Sequence, residues 1–153
     1  MVNQTLNTIL NFIGNFAENN PFIRQFKSGD MNYYDTEDMS FPSMWVAPTN
    51  SSINQINRGV ISNSMSFQVM ILDRANQTDD GDNELEIISD SIQVLEDLVF
   101  ELSRDSKEFS LETSISYQPV QQGAESTNSR EVGIVATLTI KKPFVRCSTP
   151  KTN

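Results

Sequence analysis

The chain has 153 residues, with 20 Asp and Glu against 11 Lys and Arg, no His and a single Cys. That is one domain's worth of sequence, and without His every mechanism that needs imidazole as general base, orienting partner or metal ligand is excluded. Cys147 alone forms neither an intramolecular disulfide nor a thiolate cluster, which points to a reducing interior, and a net charge of -9 with a pI near 4.4 opposes tight binding to phosphate-bearing nucleic acid.

The first 20 residues have an apolar rhythm but no Lys or Arg, and Asn3, Asn7, Asn11 and Asn15 interrupt it. No secretory leader is therefore expected. No 18-residue apolar run occurs, so neither a membrane span nor membrane association is expected and the protein should be soluble. The sequons at Asn3, Asn50 and Asn76 read as coincidence in an Asn- and Ser-rich chain.

Residues 4–18 predict an amphipathic helix, because Leu6, Ile9, Leu10, Ile13, Phe16 and Ala17 fall at helical spacing. Asn19-Asn20-Pro21 ends it, since proline disfavours helical geometry in the residue before it. Phe22, Ile23 and Phe26 predict a short extended segment closed by the turn residues Ser28-Gly29-Asp30. Residues 31–40 are an acidic loop. In Phe41–Val46, Pro42 confines the apolar stretch to a strand start or a sheet edge, and Trp45 reads as a core or edge anchor. Residues 47–62, with Pro48 and a run of Asn and Ser, are expected to be loop.

From Ser64 the period becomes two, with Met65, Phe67, Val69 and Ile71 on one face, which predicts a half-buried strand to Leu72. After a solvated connection over 73–83, Leu85, Ile88, Ile92, Leu95, Val99 and Leu102, widened by Ile87, Val94 and Leu98, predict a helix over 84–103. Carboxylates in its first turns complement the helix dipole, and Arg104 and Lys107 follow its end. Residues 109–117 and 131–140 alternate as two long strands, each with one apolar and one Ser/Thr-rich face, the pattern of an antiparallel sheet covered on one side. The polar segment 118–130 between them is expected to be a long loop, mobile or ordered by a partner.

The expected fold is α+β: a two-layer sandwich with a mostly antiparallel sheet covered on one face by two helices. It should form a single domain over 1–146, with 147–153 as a flexible end.

Candidate chemistry is sparse. Placing Gly81 at position 6 of a calcium loop puts Ile87 at position 12, where a bidentate Glu is required, so Asp79-Asp80-Gly81-Asp82 reads as a solvated acidic turn before a helix. The six glycines are scattered singly, so no phosphate loop is present. No Ser-x-x-Lys opens a helix. Most carboxylates lie on a helix face or in loops rather than across a cleft, as glycoside hydrolysis would need. Neither an enzyme nor a metal or organic cofactor is expected.

One asymmetry stands out. Residues 73–112 hold 13 acids and 3 bases, whereas 141–151 hold Lys141, Lys142, Arg146 and Lys151 and no acid. Two readings follow: a basic end that neutralises an acidic helix within one molecule, or a bipolar protomer whose basic end meets the acidic face of the next copy, a heterologous contact that can close into a ring. The residues that would carry such contacts are Lys141, Lys142 and Arg146, the acids Asp79, Asp80 and Asp82, and Gln121, Gln122, Glu125 and Arg130 in the long polar segment.

The element order resembles the tail terminator, or tail completion, proteins of tailed bacteriophages. The resemblance runs through the helix over 4–18, the segment ending Phe26-Lys27-Ser28-Gly29-Asp30 and the stretch Phe41-Pro42-Ser43-Met44-Trp45-Val46. It continues through the strand 64–72, the polar loop, the helix 84–103 and the paired strands ending Lys141-Lys142-Pro143-Phe144. It implies a homo-oligomeric ring, usually a hexamer, that caps the tail tube and joins it to the head connector, made in the host cytoplasm and found in the virion. The partners implied are further copies, a tail tube protein and a connector or stopper protein. DNA would pass through a lumen that an acidic, His-free surface keeps from sticking. Another connector component, such as a stopper or adaptor-like ring protein, is the alternative within that class, and a small protein-binding module acting by strand addition is the alternative outside it.

Overall fold

The computed structural model describes residues 6–29, 40–75, 82–104, 110–111, 115–122 and 130–145, with the backbone alone described at 56, 60, 82, 122, 130 and 142–145. Helix α1 (Leu6–Asn19) buries Ile9, Ile13 and Ala17, one residue per turn along a single stripe. Beyond it the Asn20 side-chain oxygen accepts the Phe22 N–H at 2.9 Å, an Asx turn that reverses the chain before Pro21 could extend the helix. Strand β1 (Gln25–Ser28) follows.

Strands β2 (Ser43–Asn57) and β3 (Val60–Ala75) form a long antiparallel hairpin. Arg58 and Gly59 make its turn, and Gly59 takes a φ of 81°, a conformation that glycine adopts without steric cost. Helix α2 (Asp82–Leu102) crosses to β4 (Ser110–Leu111), followed by β5 (Ser116–Gln122) and the long β6 (Arg130–Val145). The sheet order is β1-β2-β3-β6-β4, with β5 also on β6. All pairings are antiparallel except β1 with β2.

The α+β sandwich is as expected, and its main core lies between the two helices and one face of the sheet. Met65, Phe67, Val69 and Ile71 of β3 point into it, beside Ile134, Ala136, Leu138 and Ile140 of β6 and Met44 and Val46 of β2. The register brings these side chains onto one face: Phe67 pairs with Leu138, Ile71 with Ile134 and with Met44.

Several boundaries differ from expectation. Residues 47–57 and 60–62 are strand, not loop, because a ladder with β3, itself paired with β6, satisfies their backbone whatever their weak intrinsic preference. Of the two places expected for Pro42, a strand start or a sheet edge, it takes the first, directly before β2, and Ser43–Val46 is an interior segment between β1 and β3. The expected loop 118–130 gives up its first part to β5, where Pro119 sits in a strand whose outer side no described strand pairs. The expected strand 109–117 is resolved into β4 and the start of β5, and residues 112–114 lie outside the described residues.

The helix stripe is also rotated from expectation. Ile87, Ser91, Val94, Leu95, Leu98 and Leu102 are buried, whereas Leu85 is 67 % exposed. Ser91 can enter the core because its hydroxyl donates to the Ile87 carbonyl at 2.7 Å and so carries no unsatisfied group inside.

The opposite sheet face carries a smaller cluster. Trp45, Ala47, Met70 and Leu72 are buried there against Phe41 and Val120. The Trp45 indole N–H donates to the Gly29 carbonyl at 2.9 Å, which fixes the turn after β1 onto this face. Farther along, the same face becomes polar, and the Ser66 and Thr139 hydroxyls share a hydrogen bond of 3.0 Å across β3 and β6.

Candidate functional site

The interface candidates separate along β6. Arg130 opens that strand and Gln121 and Gln122 close β5 beside it, paired with Val132 and Glu131. The Gln121 side chain donates to Glu84 Oε2 at 3.3 Å, which ties this end of the sheet to the acidic first turn of α2, where Asp82 is the first residue. Lys141 and Lys142 lie at the other end of β6, paired with Ser64 and Asn63 of β3. At about 3.3 Å per residue, Val132 and Lys141 are about 30 Å apart along the strand. Asp79, Asp80, Glu125, Arg146 and the acidic loop 31–39 lie outside the described residues.

Lys141 and Lys142 therefore stand well beyond the physiological screening length of about 8 Å from the acids at the start of α2, whereas Glu96, Asp97 and Glu101 lie in the second half of that helix.

A second group at the Arg130 end was not legible in the sequence. Asp73 and Arg74 end β3, and with Arg24, Ser40 and Phe41 they line an open cleft of about 660 Å³. The Arg74 guanidinium stacks over the Phe41 ring, 4.9 Å from its centroid. Burial pushes the Asp73 carboxyl above its ordinary value, against the lowering effect of the Arg74 backbone N–H and the Arg24 charge, while Asp90 adds to the rise.

Glu131 lies directly opposite Arg74 in the β3–β6 ladder. It is 1 % exposed, and neither carboxylate oxygen has a hydrogen-bond partner. Burial raises its pKa as well, partly offset by its own backbone N–H and by the Arg74 charge. In the sequence Glu131 looked like an ordinary solvent-face residue. The one available signal was that its face continues through Gly133 and Val135, which are apolar, before reaching Thr137 and Thr139.

Two carboxyls with raised pKa invite an acid–base reading, but the register argues against it. Asp73 pairs with Val132 on the helix-covered face, whereas Glu131 pairs with Arg74 on the other. Carboxyls on opposite faces of one sheet cannot flank a single scissile bond. Among the described residues, no three carboxylate or thiol side chains converge on a metal-sized site, and no helix is long and apolar enough to cross a membrane.

Between α1 and α2 a groove of about 500 Å³ is lined by Phe12, Phe16 and Phe100, with Asp97 and Glu101 among its polar residues. Phe100 is 64 % exposed. An apolar groove alone does not name an occupant.

Compared with known proteins, the chain matches no protein-family model, and no curated protein aligns with it significantly.

Proposed function

We propose that this protein is a structural, non-enzymatic component of a phage head–tail junction, assembling head to tail into a ring that ends the tail tube and joins it to the head connector. The observation that carries the reading is the separation of charge along β6. Basic Lys141 and Lys142 stand about 30 Å along the strand from the acidic start of α2, a two-ended arrangement that a heterologous ring contact can use. The α+β sandwich agrees with the element order on which the resemblance rests. A terminator needs one face complementary to the tube end and another that refuses a further ring, and it works by shape rather than by catalysis.

The uncharged outer side of β2 favours a second reading, a monomeric module that recruits another protein by strand addition. The two readings part on oligomeric state and on phenotype. In lysates of a phage whose copy of the gene is interrupted, electron microscopy should show filled heads and tails that fail to join. Normal virions would overturn the reading. Complementation with Lys141→Glu plus Lys142→Glu should fail if the basic end docks on a neighbour, and full rescue would remove that contact from the proposal.

A further inference from the structure

The distal half of the β2–β3 hairpin stands out as an arm. Ser51–Gln55 form a regular stretch between two register shifts, at Pro48/Ser51 and Gln55/Asn57. These five residues are exposed, with Ile53 at 66 %, and among the described residues only β3 pairs with them, since β1 covers β2 only over Ser43–Val46. From Pro48 to Asn57 there is no charged residue. Exposed edges in monomers are usually guarded by Lys or another charge, because unpaired N–H and C=O groups template pairing with another chain. Here Pro48 and the irregularities are the only guards.

A second edge is also uncharged, with Pro119 as its one guard. β5 reads Ser-Tyr-Gln-Pro-Val-Gln-Gln, without a charge, and among the described residues its only partner is β6. The two edges lie on opposite sides of one sheet, β2 beyond β3 and β5 beyond β6. β2 and β6 run in the same direction, and β5 runs against them. A neighbour placed by continuing the sheet therefore presents β2 antiparallel to β5, the pairing in which the hydrogen bonds run straight between strands.

We infer that Ser51–Gln55 of one copy pairs with β5 of the next, so that the sheets of successive copies join edge to edge around the ring. This rests on the ring reading above and specifies its contact. The register makes the inference sharper. Ile53 lies level with Asn63 and Lys142, whereas Pro119 lies level with Ile134. Pairing the two edges centre to centre, with Ile53 opposite Pro119, staggers neighbouring copies by about 26 Å along the strands, over a repeat of four strands about 19 Å wide. The strands then incline by about 54° to the ring axis, steeper than the 35–45° of closed barrels.

The occupant of each edge is thus the other edge of a second copy of this chain, because both are uncharged, of similar length and antiparallel when the sheet continues.

The test uses the full chain and two variants at exposed positions. Ser51→Lys with Ile53→Lys blocks the arm, and Tyr117→Lys with Gln118→Lys blocks β5. By native mass spectrometry the wild type should form a ring and each variant a monomer, with far-UV circular dichroism unchanged. An equal mixture of the two variants should give a heterodimer and nothing larger, because one intact arm meets one intact β5 and both outer ends are blocked. That heterodimer also proves both variants folded. Rings that persist in either variant would overturn the edge contact while leaving the ring reading in place, and so would a mixture that stays monomeric. A monomeric wild type also overturns the edge contact, and the ring reading is then judged by the phage phenotype alone.

Discussion

Glu131 offers a stability test that needs no knowledge of partners. Its carboxyl is 1 % exposed with both oxygens unpaired, and burial raises its pKa. The folded chain therefore holds this proton more tightly than the unfolded chain, whose glutamate titrates near 4.3. Below that value the group is protonated in both states and adds no ionisation penalty. As pH rises from the unfolded toward the folded pKa, the native state binds more protons than the unfolded one and stability falls, by up to about 1.4 kcal/mol per pH unit; above the folded pKa it is flat. Glu131→Gln keeps the shape and removes the titration. An unsatisfied buried polar group costs about 1–3 kcal/mol, and more when charged, so the variant should exceed the wild type by about 2 kcal/mol at pH 7 and match it near pH 4. In a chain of this length that is a rise of about 4–8 °C in melting midpoint. Urea unfolding of both proteins from pH 4 to 8 measures the difference directly. Asp73 titrates with the same sign, but it is present in both proteins and cancels. A difference that does not change with pH, or a variant less stable at pH 7, would refute the claim that an ionisable, unpaired carboxyl is held in this sheet.

Other positions give simpler outcomes. At Gly133 an added Cβ would run into the Ile71 carbonyl oxygen of the paired strand, so Gly133→Ala should cost about 3 kcal/mol or leave no soluble protein, read by urea unfolding. Trp45→Phe keeps most of the ring but loses the bond to the Gly29 carbonyl, an expected loss of about 1 kcal/mol. Arg104 meets Glu101 at 3.3 Å on an exposed helix end, and Arg104→Ala should change the unfolding free energy by less than about 0.5 kcal/mol.

What the sequence made legible was whatever a period imposes. Met65, Phe67, Val69 and Ile71 alternate, and a half-buried strand is the structure that buries all four. α1 and α2 announce themselves by apolar spacing in the same way. The arm did not, because Ser51–Gln55 contains only Ile53 as a large apolar residue, and that residue is exposed. Its strand character comes from β3, whose own register is set by a distant strand, β6. The phase of α2 was misread at Leu85 and Ser91 because hydropathy cannot see a hydroxyl satisfied by its own helix. Of the interface candidates, the position of Lys141 and Lys142 opposite the start of α2 is a property of the ladder, and no window along the chain contains it.

The two contributions assigned to the ring contact differ in their response to salt. Every copy carries -9, so bringing copies together works against a repulsion that salt screens, while the attraction between the Lys141 end and the α2 acids is screened too. Backbone pairing along Ser51–Gln55 and β5 carries no charge and has no such dependence. Charged contacts serve mainly to steer and orient partners, whereas their net worth to affinity is small. The edges should therefore supply the affinity and the charges the choice of neighbour. On that assignment, raising salt to about 0.5 M, where the screening length drops to about 4 Å, should slow ring assembly from monomers followed by light scattering. It should leave the equilibrium fraction of rings unchanged or higher. Rings that fall apart in that salt would show that the bipolar charge holds them, and the uncharged edges would lose their role as the main source of affinity.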